Sequence, residues 1–520
     1  MSAKSFSAVA VSCLLAASLV LSNSAQAAVQ QNQLTQQEID KILKREQVLE
    51  QQVSVLSSEI KDIKAQQQVH PHHYQRHFTT KEKGYGKIVW HPVHSQTSAD
   101  EFKKLNAARF TQGVAVTTSP YFGLRSDAMG FDRIVNIVST NEAVRLLQLR
   151  QKLENQAAAA GITPVSVNHP LIEVSGALEG QGVYFKPSQG PSTNTIDLTR
   201  AQFDVLSQVS PWITALMEFK YDASPLPSNI QGSGQRIANS RVYISQAFMT
   251  IGNLNKSPFY FSLGQMNAPF GRYYSGLLSN PITQTLGQTR NRLALLGFYK
   301  SGFYGQAYVF QGDAHTSGHQ GINTGGVNGG YLYDNGGVNT FYLGGGYIND
   351  IADSLGMQKT GISPPSFPGF GFHSGTEQLV HLVPGVDLDA HVSLNKLTLV
   401  SEFITATRSF DPTDLSFDNN GAEPKALHLE GDYSFNMFNW PSFFTLAYGH
   451  SWQALGVNVP KDSYIAVLTT SIWKDTIEAI EFRHDQNYPT SDTSGGEGFP
   501  VVASVGGSQN TVTLQAGVYF

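Results

Sequence analysis

The chain has a single cysteine, Cys13, and it falls inside an apolar stretch at the extreme N-terminus. A disulfide framework is therefore excluded. Charge is also scarce: Asp, Glu, Lys and Arg make up 14% of 520 residues, against roughly 25% in an ordinary soluble domain. Beyond the N-terminus no stretch approaches the roughly 20 consecutive apolar residues of a membrane-spanning helix. A polytopic helical membrane protein is thereby excluded. Disorder along the whole chain is excluded by the opposite abundance, 30 Phe and 21 Tyr, which offer far more buryable surface than a disordered composition carries. High glycine, at 48 residues, with many aromatics and little charge leaves a secreted all-β protein or an outer-membrane barrel.

Residues 1–27 read as an export signal. Lys4 supplies the positive charge, Ala8 to Leu21 the apolar core, and Ala25-Gln26-Ala27 a small-residue cleavage site. Residues 28–68 read as a coiled coil. Ile42, Leu49, Leu56 and Ile63 stand seven apart, with Ile39, Val53 and Ile60 at intervening positions and Glu46 breaking the pattern. So narrow an apolar seam on a polar rod of about 37 Å buries best against copies of itself, and isoleucine at both seam positions favours three or four strands. A parallel homotrimer is the leading expectation, and a single amphipathic helix docked on its own domain is the alternative.

Residues 69–170 read as a His-rich linker and a helical adaptor. His70, His72, His73 and His77, followed by His91 and His94, make a dense imidazole cluster, a candidate for Zn, Cu or Fe. The alternative is a polar linker punctuated by proline, since no cysteine or ordered ligand spacing accompanies it. Further on, Thr140-Asn141-Glu142 caps a helix whose apolar face includes Val144, Leu147 and Leu153.

From residue 171 the period changes to two. Ile172, Val174, Gly176 and Leu178 alternate with Glu173, Ser175, Ala177 and Glu179, and the pattern recurs to the end of the chain. Tight turns at Ser210-Pro211, Ser301-Gly302, Asn395-Lys396 and Lys474-Asp475 alternate with long polar connections, among them 268–289, 313–337 and 353–380. That asymmetry belongs to a transmembrane barrel. Fifteen strands are clear, and alternation of short and long connections demands one more, expected within 350–380. The fold class is thus an all-β transmembrane barrel of about 16 antiparallel strands spanning 171–520, with an N-terminal α-helical coiled coil and a periplasmic adaptor. Three tryptophans, Trp212, Trp440 and Trp473, stand at tight turns and Trp452 near the opposite strand end, as an aromatic girdle requires. The last strand ends in Val518 and Phe520 and resembles the terminal signal by which Gram-negative barrels are recognised by the barrel-assembly machinery. Outer-membrane lipid is then the surrounding partner, with the N-terminal arm and the C-terminus in the periplasm.

Alternation also assigns a water-facing interior. Arg200 with Asp204, Glu218 with Lys220, Glu402 with Arg408, and Glu481 with Arg483 and Asp485 each share an inward face, so both signs line the lumen. Mutual pairing that merely solvates the interior is the alternative role. Ala268-Pro269-Phe270-Gly271-Arg272 opens the third long connection, and Arg290 and Arg292 follow it. This resembles porins, whose third loop folds into the pore and often begins with a Pro and Phe-Gly pattern; an inward loop would set Arg272 against acidic wall residues. Residues 171–520 carry a balance of −10 and residues 28–170 one of +4.

From the heptad through Ser119-Pro120-Tyr121-Phe122 and Asn141-Glu142 to the strand ending in Phe520, the layout resembles the LbtU-type siderophore porins. The resemblance is architectural, covers essentially the whole chain after the signal, and transfers no ligand residue. It implies uptake of a ferric, polycarboxylate-type siderophore without a TonB-dependent plug. The residues themselves support the missing plug, since a 22-stranded barrel does not fit in 171–520. They suit an anionic chelate only if Arg272, Arg290 and Arg292 line the path. A general diffusion porin and an envelope-tethering or adhesion protein are the competing readings. An enzyme is not expected: there is no G-x-S-x-G, and the neighbours His450 and Ser451 point to opposite faces of a strand. No cofactor and no nucleic-acid partner are expected.

Overall fold

The computed structural model describes residues 115–118, 143–148, 150–151, 171–222, 241–317, 321–334, 339–372, 377–473 and 476–519. The chain divides into two compact units, Met1–Gly86 and Lys87–Phe520, and every described residue belongs to the second. The heptad residues, the histidines at 70–77, Ser119 to Phe122 and Phe520 lie outside the described residues.

Sixteen antiparallel strands close on themselves. They are β1 Leu171–Lys186, β2 Thr193–Gln208, β3 Ile213–Asp222, β4 Arg241–Gly252, β5 Phe259–Asn267 and β6 Arg290–Lys300. Next come β7 Phe303–Phe310, β8 Thr324–Asp334, β9 Asn339–Ile348, β10 Gly385–Leu394 and β11 Leu397–Ala406. The last five are β12 Lys425–Met437, β13 Trp440–Trp452, β14 Asp462–Thr470, β15 Thr476–Gln486 and β16 Ser508–Tyr519. Each pairs with its sequence neighbours, and β1 pairs with β16 from Ala177 opposite Tyr519 to Lys186 opposite Asn510. Every strand thus has a hydrogen-bonded neighbour on both sides, as a sheet crossing lipid requires. Residues 193–201 of β2 and 241–246 of β4 run on at the loop end past their partners in β3 and β5. Residues 115–118 add a short parallel pairing to the first residues of β1.

Polarity is inverted relative to a water-soluble barrel. Along β11 the inward residues are Thr398, Val400, Glu402 and Ile404, all buried, while Leu399 points outward and is 48% exposed. Along β10 the inward set is Asp387, Asp389, His391 and Ser393, and the outward Leu388 is 59% exposed. Leu296, Val327, Leu343, Leu446, Phe482 and Leu514 continue the outward apolar belt around the wall. A continuous apolar exterior around a polar interior is the arrangement of a membrane-spanning barrel.

The count of sixteen agrees with the parity requirement, but the sixteenth strand lies elsewhere. It was expected in 350–380; it is β8, within the stretch read as the connection 313–337. Consequently β9 runs opposite to the direction that parity had assigned it. The disguise is compositional: β8 reads TGGVNGGYLYD, and glycine signals a loop. Those glycines make room for aromatic rings. Tyr308 lies against Gly326, Tyr304 against Gly330, and Tyr304 and Tyr342 against Gly344. The rings of Tyr304 and Tyr342 stack with centroids 5.9 Å apart and their hydroxyls hydrogen-bond. The described residues of 350–380 instead form irregular chain with one short helix, Leu355–Gln358, and a two-residue strand at Gln378–Leu379.

All seven short connections lie at one end of the barrel, the turn end, together with the start of β1 and the end of β16. Eight connections lie at the other, the loop end. There the longer ones fold together: 415–417, 420–421, 493–496 and 502–503 form a four-stranded sheet, and 315–316 pairs with 378–379. Phe367, Phe370, Phe410, Met357, Leu379 and Leu415 fill the core between them. Phe367 and Phe370 meet edge to face at 5.1 Å.

Candidate functional site: a loop stitched across the lumen

Residues 268–289 leave β5 and return to β6, and between them cross the barrel to the opposite wall. The crossing is built on three buried glutamates, each of which accepts hydrogen bonds from the loop. Glu402 of β11 accepts the backbone N–H of Arg272 (2.6 Å) and Tyr273 (3.1 Å) on one oxygen and the Thr283 hydroxyl on the other (2.5 Å). Glu430 of β12 accepts the Gly276 N–H (2.5 Å) and the Ser275 hydroxyl (2.7 Å). Glu481 of β15 accepts the N–H groups of Leu278 (2.7 Å) and Ser279 (3.1 Å). A carboxylate that accepts several backbone donors offsets its own desolvation and satisfies groups that an irregular buried segment would leave unpaired.

The fit is close. A Cβ on Gly276 would stand 2.5 Å from Thr445 Oγ1 and 2.6 Å from Asp432 Oδ1, so only glycine lets the loop lie on this wall. Within the loop the helix α1, Ile282–Gly287, buries Ile282 and Leu286. It packs on α2, Leu355–Gln358, where Leu355 N–H donates to Gln288 O at 2.7 Å. The third loop and the loop-end connections are thus one packed body.

Arg272 departs from its expected role. Its backbone N–H meets Glu402, and its guanidinium stands within electrostatic reach of a different acidic wall residue, Asp389 of β10, without an ion pair to it. The guanidinium lies 3.5 Å over the Tyr342 ring and 4.4 Å from that of Tyr274, and donates to the Tyr274 hydroxyl at 3.0 Å. Stacking between two rings holds the charge against the wall.

The other predicted residues divide into three groups. Arg200 pairs with Glu179 at 2.9 Å; Lys220 pairs with Glu218 at 2.8 Å, and Gln202 bridges Glu218 to Asp204 at 2.8 and 2.9 Å. Arg483 engages both oxygens of Asp485, at 2.8 and 2.9 Å, and reaches Ser279 of the loop at 3.1 Å. These residues face inward and are paired. Arg290 is half-buried and donates to Asn267 at 3.2 Å.

Two expectations are corrected. Arg292 is exposed and alternates with the buried Leu293 and Leu295, which puts it on the outward face with Leu296. Arg408 is also exposed, because β11 stops at Ala406 and the alternation that tied Arg408 to Glu402 ends there. Neither residue lines the lumen.

Sequence reasoning missed Asp387, Asp389 and His391 on β10, and His428, Glu430 and Asp432 on β12, all buried and inward. Their signal was present, since each trio stands at alternate positions of a strand. His428 pairs with Glu430 at 2.9 Å. Among the described residues, inward carboxylates outnumber inward cations.

At the loop end burial raises two carboxyl groups. Asp353 goes up to about 6, against the lowering effect of hydrogen bonds from Ala314 N–H and the Thr324 hydroxyl. Asp414 goes up to about 6 as well, with an opposing bond from Val380 N–H and repulsion by Asp411 and Glu497. No group of three or more His, Cys, Asp or Glu able to hold a metal occurs among the described residues.

No family model matches the chain. A UPF0422 protein of Legionella pneumophila (strain Lens) is 38% identical over 424 residues, covering 79% of this chain and 78% of its own. A UPF0422 protein of Coxiella burnetii is 35% identical over 424 residues, covering 80% and 85%. Among solved structures, an anion-selective porin of Comamonas acidovorans aligns with 68% of this chain and all of its own, at TM-score 0.44 and 14% identity. Salmonella typhi OmpF in complex with daunomycin aligns with 67% of this chain and 97% of its own, at 0.42 and 12%. The extent and identity of the first two matches mean that the chain belongs to the family of UPF0422 proteins.

Proposed function

We propose that the protein is a porin-type channel of the outer membrane that admits a small polar solute. The observation that supports this best is the closed 16-strand wall, apolar outside and polar inside, crossed by a loop that three inward glutamates hold in place. Such a loop leaves a narrowed aqueous route whose charge is set by fixed residues. With inward carboxylates in excess, the route favours cations over anions. In this reading the turn end faces the periplasm, the residues from Ile39 to Ile63 join three copies, and the strand ending in Phe520 is recognised by the barrel-assembly machinery.

The test is reversal potential in planar bilayers under a salt gradient. Discrete, cation-selective openings are expected, and absence of conductance above the lipid background would refute the channel. Ferric polycarboxylate siderophore is the specific solute that the architectural resemblance favours, while the outward Arg292 and the excess of inward carboxylates count against an anionic chelate. It predicts saturable block of conductance by the ferric chelate and loss of its uptake in a deletion strain. Bulk-like conductance with unchanged uptake would leave the general diffusion porin. For a tethering or adhesion protein, deleting residues 30–68 should abolish attachment while conductance persists.

A further inference from the structure

At the turn end of β2 to β5 the inward wall groups four large apolar side chains, Leu206, Leu216, Phe248 and Tyr260, among the polar Gln208, Thr214, Thr250 and Ser262, all buried. Across the lumen at the same end, β11, β13 and β14 present Thr398, Ser442 and Thr469, and β15 presents Ile477 and Ala479. Apolar wall left facing water costs about 25 cal/mol per Å², so something must cover the first set. The cover is helical chain at 143–148 and 150–151. Val144, Leu146 and Leu147 are buried in one cluster with those wall residues. Leu147 Cδ1 lies 3.0 Å from the place a Cβ on Gly252 would occupy. At the rim, Arg150 Nη1 approaches Thr214 Oγ1 at 3.5 Å and Gln151 Nε2 donates to Asn255 Oδ1 at 3.1 Å.

We infer that the helical residues 143–148 and 150–151 form a plug seated in the turn-end mouth, which covers this group of apolar side chains and narrows the route left to the solute. Side-chain packing holds the plug, not pairing with the sheet, so it can leave without opening the barrel. The inference rests on the channel reading for its effect on flux, but not for its geometry.

Its test therefore has two readouts on the full chain in lipid. Leu216→Cys reports cover, through labelling by a membrane-impermeant maleimide. Leu147→Glu places a charge against Gly252 and should unseat the plug. Labelling of Cys at 216 should be slow in the otherwise native chain and about tenfold faster with Leu147→Glu, while single-channel conductance rises. Gln151→Cys with Asn255→Cys should be bridged by a short reducible bis-methanethiosulfonate reagent that spans the gap left by the two amide side chains, which keeps conductance low until it is reduced. Heat-modified gel mobility verifies that each barrel is intact. Fast labelling without Leu147→Glu, no acceleration with it, or failure of the bridge would overturn the seated plug. Faster labelling with unchanged conductance would overturn its effect on flux. Absence of conductance in every variant, with labelling as expected, would instead refute the channel reading and leave the plug's geometry standing.

Discussion

The two halves of the wall hold interior segments by different physics. The inward face of β2 to β7 carries Leu206, Leu216, Phe248, Tyr260, Leu293, Leu295 and Tyr308, with its charges Arg200, Asp204, Glu218 and Lys220 held in pairs or hydrogen bonds with neighbouring wall side chains. The inward face of β10 to β15 presents Asp387, Asp389, Glu402, Glu430, Asp432 and Glu481. The first packs against apolar side chains of a helix; the second accepts backbone N–H groups of a loop. Apolar packing needs area and tolerates sliding, whereas a carboxylate that accepts two N–H donors fixes position to within a hydrogen bond. One half is therefore suited to a removable element and the other to a permanent one.

The largest expected effect comes from the apolar half. Phe248→Ala should cost about 3–5 kcal/mol, read as a lower temperature for loss of heat-modified gel mobility, because the helical residues 143–148 and 150–151 do not refill the cavity. In the acidic half, Glu402→Ala removes the acceptor of two N–H groups and one hydroxyl, at a net cost of about 1–3 kcal/mol because the released donors reach lumen water. Released from that wall, residues 268–289 should become open to protease, and conductance should increase. Equal loop protection in Glu402→Ala and the native chain would erase the distinction between the halves.

A smaller effect follows from pH at the loop end. Folded Asp353 and Asp414 keep their protons up to about 6, while an unfolded aspartate loses its proton near roughly 4. The folded connections then bind more protons between those values, so their stability is fully present below roughly pH 4 and is lost as pH rises through about 6. Hydrogen exchange in 349–384 and 407–424 should be slower at about pH 5 than at about pH 7.5 after correction for intrinsic rates. Asp353→Asn should flatten that difference. Arg272→Lys keeps the charge but loses planar stacking on Tyr342, a change of about 1 kcal/mol, visible as modestly greater mobility of 268–289. Smallest of all, Arg292→Gln and Arg408→Gln should leave reversal potential unchanged, since neither faces the lumen; Lys220→Gln should shift it toward greater cation selectivity.

Much of the wall was legible because a period of two needs no tertiary information. Glu402, Glu481 and Asp485 could be placed inward from their neighbours alone. Arg408 could not, because alternation does not announce where a strand stops. β8 was hidden because its glycines have meaning only beside the Tyr304 and Tyr308 side chains of β7, a cross-strand packing that no pattern within β8 itself announces. The candidate site was half legible. Phe270-Gly271-Arg272 marked the loop, but the glutamates that receive it are 119 to 203 residues away.

The scarcity of cysteine, of charge and of long apolar runs determined by itself that this protein holds together without disulfides and meets lipid through strands. Alternation added the number of strands and most of the facing. Only the tertiary structure decided what fills the interior. Whether an inward glutamate faces open water or caps a row of backbone N–H groups depends on which segment crosses the lumen at its height. Whether an inward leucine is a flaw or a seat depends on a helix that joins the barrel from outside it.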